Sequence, residues 1–158
     1  MNKKHHYSSK VKWTGNTGSG TSGYRSYERS HIIKVENKAD ILCSSDPAFR
    51  GDKNKHNPEE LFVASLSSCH MLFYLHLCAD AGIVVTDYKD DATGIMEELP
   101  DGSGHFTNVT LHPIVTVTSN EMIDKAIELH ERADELCFIS NSCNFKVEHE
   151  PVCKTIGE

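Results

Sequence analysis

An uncharged stretch of nineteen residues, 61–79, constrains the fold of this chain more than any other feature. Signals for a helix start come just before it: Asn57 is a suitable N-cap, Pro58 suits the first turn, and Glu60 completes a capping box. Gly82 is a typical helix stop. A helix that is apolar on nearly every side must be covered on nearly every side. We therefore expect a central helix over residues 57–81, enclosed by a sheet and by a second copy of the chain.

The same stretch is long enough to cross a bilayer, so a membrane span has to be weighed against a buried helix. Three serines, two histidines and two cysteines lie within it, and these polar residues favour the buried helix. The first residues are polar and precede no apolar run, which argues against a secretory signal peptide. A net charge of -7 disfavours binding to nucleic acid or to an anionic membrane surface. We expect a cytoplasmic protein with neither of these partners.

The remaining pattern predicts an α+β fold with antiparallel sheets packed on the central helix and on a second helix. The 158 residues fit one domain, divided into N-terminal strands and a loop (1–56), the central helix (57–81) and a C-terminal part (82–158). Alternation predicts strands over 10–13, 24–35, 84–98, 107–118 and 144–149, with a hairpin turn at 100–104. The second helix is expected over 119–136, with a capping box from Thr118 to Glu121. Residues 36–56 are predicted to be a long functional loop.

Six cysteines supply the only strong candidates for chemistry. No Cys-x-x-Cys pair occurs, so neither a zinc ribbon nor a thioredoxin motif is present, and we expect no metal and no cofactor. Cys69 lies in the middle of the apolar helix, where burial alone would raise its pKa and make it inert. Cys137 closes the second helix, where the partial negative charge disfavours a thiolate and suits a resolving thiol. Cys143 is the alternative resolving thiol, and the other three cysteines are interpreted as packing or surface thiols.

Two motifs carry a resemblance to a known family. The first is Asn57-Pro58-Glu59-Glu60-Leu61-Phe62 followed by Ser68-Cys69, and the second is the helix-ending Cys137 followed shortly by Ser140-Asn141. Together with the strand order and the loop around Pro47, these residues resemble the OsmC/Ohr family of peroxide reductases over nearly the whole chain.

The resemblance implies an intertwined homodimer with two active sites at the interface. It implies that Cys69 attacks an organic hydroperoxide, becomes a sulfenic acid and forms a disulfide with Cys137, which a lipoyl-type or other dithiol donor then reduces. A glutamate and an arginine hold the first thiolate in that family. Glu59 takes the place of the glutamate, whereas the arginine is left open among Arg25, Arg29 and Arg50.

The chain also departs from the family pattern. Phe138 stands where a proline often follows the second cysteine, and His70 stands where an aromatic usually follows the first. Two other functions therefore remain open: a small-molecule binder on the same fold, and a hydrolase with a cysteine nucleophile. In the hydrolase, His76 lies about 10.5 Å along the helix from Cys69, too far to be its base, and His70 points about 100° away.

Overall fold

The computed structural model describes residues 2–157. By internal packing the chain forms two compact units, Met1–Leu61 and Phe62–Glu158, which are described in turn. The chain combines two long helices with separate β-sheets in an α+β arrangement, which confirms the predicted fold class. The division into a single domain over 1–158 stays a prediction.

The first unit is built on a three-stranded antiparallel sheet of β1 (Lys10–Trp13), β2 (His31–Lys34) and β3 (Ile41–Cys43). The predicted strand over 10–13 is confirmed. The strand expected over 24–35 begins only at His31, because residues 23–26 form a turn in which Ser26 N donates to Gly23 O. The predicted loop over 36–56 contains β3, which the sequence pattern missed, and a short 3-10 helix at Pro47–Phe49.

The long helix α1 runs without interruption over Pro58–Asp80. Its capping box is formed as predicted: Glu60 N donates to Asn57 Oδ1 at 2.7 Å, and Asn57 N donates to Glu60 Oε2 at 3.3 Å. Gly82 ends the helical region with φ 71°, a conformation that favours glycine. By length and composition α1 is apolar enough to cross a membrane. Only 22% of its most apolar 18-residue segment is buried within the described part of the chain. The chain by itself does not provide the enclosure that the sequence pattern demands.

The second unit contains two three-stranded sheets made from the same three ribbons of chain. One sheet has the order β4 (Val85–Asp90), β7 (Pro113–Val117), β9 (Val152–Thr155); the other has β5 (Thr93–Glu98), β6 (Gly104–Leu111), β8 (Val147–His149). One or two residues join β4 to β5, β6 to β7 and β8 to β9, so each ribbon passes from one sheet into the other.

The sheets are mixed, which corrects the expectation of purely antiparallel pairing. The pairs β4·β7 and β5·β6 are antiparallel, but β6·β8 and β7·β9 are parallel. The predicted strand over 144–149 is confirmed only at Val147–His149, and β9 was missed. Parallel partners are brought together by the intervening α2, whereas the sequence pattern reports only local alternation.

Hydrogen bonds tie the three ribbons together where they bend. Asp90 Oδ1 accepts from His112 N at 2.7 Å, and Glu150 N donates to Leu111 O at 2.9 Å. These bonds satisfy backbone groups at the point where each ribbon leaves one sheet for the other.

The second helix, α2, covers Ile123–Leu136 and is preceded by a 3-10 turn at Asn120–Met122. Ser119, not Thr118, caps this start by accepting from Glu121 N at 3.3 Å. The buried residues of α2 are Ala126, Leu129, His130 and Ala133. The first core cluster joins α2 to Tyr74 and Cys78 of α1 and to β7, and the second core cluster packs Leu66 against Val109, Leu111 and Val147.

Candidate active site

The structure brings together the two cysteines that the sequence motifs single out. Cys69 lies in the middle of α1 and is partly exposed, whereas Cys137 is buried at the C-terminal end of α2. The Cys137 backbone N–H closes the helix by donating to Asp134 O at 3.1 Å. Both thiols are free, and their side chains are close enough for Cys69 to raise the pKa of Cys137.

The electrostatics of this contact distinguish the two thiols. The pKa of Cys137 is raised to about 12. Burial is the larger cause, and a side-chain interaction with Cys69 is the second. A hydrogen bond raises the pKa of a group when it favours the protonated form. The two causes together keep Cys137 protonated at neutral pH, next to Cys69.

Residues just after Cys137 hold its sulfur from the other side. Ser140 begins a 3-10 turn at Ser140–Ser142, and its backbone N–H donates to Cys137 Sγ at 3.4 Å, which lowers the pKa of Cys137. The Ser140 hydroxyl donates to Asp134 Oδ1 at 2.9 Å and so anchors the turn to α2. A backbone donor at the sulfur would stabilise Cys137 as it loses its proton.

Cys143, the alternative resolving thiol, is placed differently. Its thiol donates to Ile139 O at 3.3 Å, and its side chain packs against the second core cluster. Burial raises its pKa. In the reduced protein, the thiol in contact with Cys69 is that of Cys137.

An aromatic pair flanks the two thiols. Phe73 lies one turn after Cys69 on α1, and Phe138 follows Cys137; their rings meet edge to face, with centroids 5.0 Å apart. Phe138 is 69% exposed, which is high for so large an apolar side chain. Leu66 and Phe62, which also lie near Cys69 in sequence, pack in the core instead. Phe73 and Phe138 therefore supply apolar surface near the two cysteines.

The predicted partners of the thiolate all lie in the first unit. Glu59 is in the first turn of α1, and its Oε2 is buried without a hydrogen-bond partner among residues 2–157. Arg29 donates from Nη1 to Tyr27 O and from Nη2 to Tyr24 O, both at 2.7 Å, and stacks on both tyrosine rings. Arg25 and Arg50 are exposed, and Arg50 has a left-handed backbone at φ 67°.

Three histidines form a cluster that sequence reasoning missed. His70 Nε2 lies 2.9 Å from His130 Nδ1, and the His149 ring centroid lies 5.5 Å from that of His70. Burial lowers the pKa of His70 to about 4 and that of His130 to about 3, so both rings are neutral at pH 7. A usable signal was present: His130 falls on the apolar stripe of α2, between Ala126 and Ala133.

A cleft of about 600 Å³ opens beside this histidine cluster. Its lining is mostly acidic and consists of Glu131, Asp134, Glu135, Lys146, Glu148, His149 and Glu150. Within residues 2–157, no three His, Cys, Asp or Glu side chains are arranged to hold a metal ion.

The fold and the paired thiols define a class of protein that the comparisons identify. The sequence profile of the OsmC-like protein family matches residues 51–151. The chain belongs to this family. No curated protein matches the chain in sequence.

Solved structures resemble the chain over nearly its whole length. An OsmC-like protein of unknown function from Vibrio cholerae is 32% identical, with a TM-score of 0.84 over 94% of this chain and 100% of that chain. An organic hydroperoxide resistance protein from Elizabethkingia anophelis is 20% identical, with a TM-score of 0.73 over 98% and 100% of the two chains. The organic hydroperoxide resistance protein OhrB of Bacillus subtilis is 24% identical, with a TM-score of 0.61 over 92% and 98%. The last two likenesses establish the shared fold.

Proposed function

We propose that this protein reduces organic hydroperoxides to alcohols with Cys69 as the attacking thiol and Cys137 as the resolving thiol, in defence against oxidative stress. The observation that carries the proposal is the proximity of the two thiols, which are close enough for Cys69 to raise the pKa of Cys137. Membership of the OsmC-like family supports it, as does the shared fold with proteins named for organic hydroperoxide resistance.

The chemistry uses two thiols and one peroxide. The Cys69 thiolate attacks the outer oxygen of the hydroperoxide, the O–O bond breaks, and the alkoxide leaves and takes up a proton to give the alcohol. Cys69 is then a sulfenic acid. Cys137 attacks its sulfur, hydroxide leaves with the proton from Cys137 as water, and a disulfide forms. An external dithiol donor, lipoyl-type or other, returns both cysteines to thiols.

The different environments of the two thiols support this assignment of roles. Cys69 is the more exposed of the two, so a peroxide can reach its sulfur more easily. Cys137 is buried with a raised pKa, so it stays protonated until a sulfenic acid lies in contact with it. Because the two thiols are neighbours in the reduced protein, we propose that the resolving step needs no large movement of the backbone.

The glutamate and the arginine of the family pattern are assigned here by proposal. Glu59 and Cys69 are ten residues apart on an unbroken helix, which separates them by about 15 Å along the axis. A guanidinium spans only a few ångströms, so it cannot bridge both residues of one chain. We therefore propose that each active site takes its Glu59 from the partner chain. The buried, unpaired Glu59 Oε2 is the kind of atom that a guanidinium from Arg25, Arg29 or Arg50 would satisfy.

The same reasoning supports a homodimer in the cytoplasm. The largely uncovered apolar surface of α1 requires a cover, and two such helices can bury each other across a two-fold axis. Serines within the helix fit a protein interface better than lipid, where polar groups are expensive.

The hydrolase alternative finds little support in the site. A cysteine hydrolase needs a base within hydrogen-bond reach of the nucleophile. His76 is exposed and lies 3.4 Å from Asp80, while His70 is bonded to His130. The hydrogen-bond partner of Cys69 is another thiol.

The decisive experiment is peroxide consumption by the purified protein with a dithiol donor, comparing cumene hydroperoxide with hydrogen peroxide. We expect turnover of both, with a higher kcat/KM for cumene hydroperoxide because its aromatic ring can pack on Phe73 and Phe138. The Cys69→Ser variant should fold normally and show only background consumption. A Cys69→Ser protein with normal turnover, or a wild-type protein that binds the peroxide without consuming it, would refute the proposal; the latter result favours the binding protein.

A further inference from the structure

The His130 ring of α2 is held in a clamp formed by two side chains of α1. His70 Nε2 lies 2.9 Å from His130 Nδ1, with the ring planes within 6° of each other. Tyr74, one turn after His70, stacks on the face of His130 at 3.9 Å and 12°. All three side chains are at most 1% exposed. One imidazole is thus fixed at its edge by a hydrogen bond and on its face by a stacked ring.

The clamp stands next to the thiol pair on both helices. His70 directly follows Cys69 on α1, and His130 precedes Cys137 by seven residues, about two turns of α2. The two helices therefore approach each other at two neighbouring places, where Cys69 lies near Cys137 and where His70 bonds to His130. Disulfide formation requires Cα atoms about 4.4–6.8 Å apart and a narrow range of side-chain orientations. A small shift of α2 along or around its axis would change both the distance and the orientation of Cys137 relative to Cys69.

We propose that His130, clamped by His70 and Tyr74, is a positioning residue that fixes the end of α2 against α1 and so holds Cys137 in bonding range of Cys69. The inference rests on the proposed dithiol function. The hydrogen bond constrains how the two helices are placed, because it forms only within a narrow range of distance and angle between the two ring nitrogens. Apolar packing alone would tolerate sliding between the helices, since dispersion contacts are not directional.

The clamp also explains the presence of polar rings in an otherwise apolar contact. Each buried imidazole without a partner would incur a desolvation penalty, and pairing them offsets part of it. Buried polar contacts of this kind can select one register among several of similar packing energy. The register selected here is the one in which the thiols meet.

Amide side chains test the hydrogen bond at each position. A glutamine amide reaches the place of a histidine Nε2, whereas an asparagine amide reaches the place of Nδ1. At position 70, which bonds through Nε2, His70→Gln should keep the contact and His70→Asn should lose it. At position 130, which bonds through Nδ1, His130→Asn should keep it and His130→Gln should lose it. Loss of general stability would not produce this crossed pattern.

The readout is the equilibrium constant for the Cys69–Cys137 disulfide, measured by mass spectrometry in buffers of oxidised and reduced dithiol. We expect His70→Asn and His130→Gln to lower it about tenfold, equivalent to about 30 mV in reduction potential. The two matched variants should remain within about threefold of wild type. Val117→Ala, a buried change in β7, serves as a control that lowers the melting temperature without changing the constant.

Several results would overturn the inference. One is an equilibrium constant for the disulfide that equals the wild-type value in His70→Asn and His130→Gln. Another is an equal decrease of this constant in all four histidine variants, or the same decrease in Val117→Ala. If the variants do not fold, ¹⁵N shifts of the wild-type rings decide, because the clamp requires a hydrogen bond between His70 and His130 in both redox states. If Cys69 and Cys137 of the wild-type protein form the disulfide but the protein does not consume peroxides, only the proposed function is refuted. A pair that forms no disulfide in any buffer would refute both.

Discussion

The side chain of Cys69 lies close enough to the buried Cys137 to raise the pKa of the Cys137 thiol. The thiol that we propose as the resolving thiol is thus beside Cys69 before any peroxide arrives. A sulfenic acid at Cys69 would form with its partner already in contact, which leaves little time for further oxidation to the sulfinic acid.

Removing the resolving thiol should stop the cycle after one step. We expect Cys137→Ser to consume one equivalent of cumene hydroperoxide and then stop, with a sulfenic acid at Cys69 that dimedone traps and mass spectrometry detects. Cys143→Ser is the matched control and should turn over at the wild-type rate. A Cys69–Cys143 disulfide in the wild-type protein would transfer the resolving role to Cys143.

The exposed aromatic ring beside the thiols should determine selectivity among peroxides. We expect Phe138→Ala to lower kcat/KM for cumene hydroperoxide about three- to tenfold, since aromatic contacts contribute about 0.5–1.5 kcal/mol. Consumption of hydrogen peroxide, which has no apolar group to bind, should be unchanged. An equal loss for both peroxides would show that Phe138 acts on the thiols and not on the substrate.

One of three arginines should hold the Cys69 thiolate. Its replacement by alanine should slow the alkylation of Cys69 by iodoacetamide across the neutral pH range, and should slow peroxide consumption in the same variant. The other two arginine variants serve as controls and should retain the wild-type profile. If all three profiles match the wild type, the thiolate is stabilised without an arginine.

The buried histidines should make the protein sensitive to mild acid. The pKa values of His70 and His130 in the folded state, about 4 and about 3, lie below the ordinary value near 6.5. Below pH 6.5 the unfolded state binds more protons than the folded state. The contribution of these two rings to the free energy of unfolding is therefore full above that pH and is lost as the pH falls. The slope approaches about 1.4 kcal/mol per pH unit for each ring.

Urea unfolding between pH 7.5 and 5 measures this slope in a range where ordinary carboxylates stay ionised. His70→Gln should reduce the slope by the share of one ring. A control at the exposed His76, changed to Gln, should leave it unaltered. A free energy of unfolding that does not change with pH in this range would mean that the rings bind protons in the folded protein as readily as in the unfolded chain.

The apolar surface of α1 should be a dimer interface. Leu72 lies on α1 and is 63% exposed in the single chain, so Leu72→Glu should place a charge in the interface and shift the protein toward monomer in sedimentation velocity. If the partner supplies Glu59, peroxide turnover should fall with the dimer. Ile127→Glu on α2 is a control of similar chemistry that should leave the dimer intact. A wild-type monomer in dilute solution would refute the interface.

Local signals in the sequence were sufficient for much of this structure. The capping box at Asn57 and the glycine stop at Gly82 located α1, because caps depend on residues within one turn. The two motifs around Cys69 and Cys137 located the thiol pair through the family resemblance. The strands β3 and β9 were missed because three or four residues carry too little alternation to be distinguished from loop.

Contacts between distant residues could not be read in this way. The parallel pairing of β7 with β9 and the meeting of His70 with His130 depend on how α2 folds back over the sheet. The sequence does place His130 on an apolar helix face, but it does not show which residue lies opposite. The choice among Arg25, Arg29 and Arg50 as the proposed partner of Cys69 was left open for the same reason.

The two parallel pairings also determine when the second unit can be completed during synthesis. Residues 147–155 supply the last strand of both sheets, and each adds beside a strand made more than thirty residues earlier. Until that segment leaves the ribosome, β6 and β7 each keep one edge unpaired, and such edges invite pairing with other chains. A nascent chain therefore carries two open edges and the bare apolar surface of α1 at the same time. Release from the ribosome closes the edges within the chain, and association with a second copy would then cover α1.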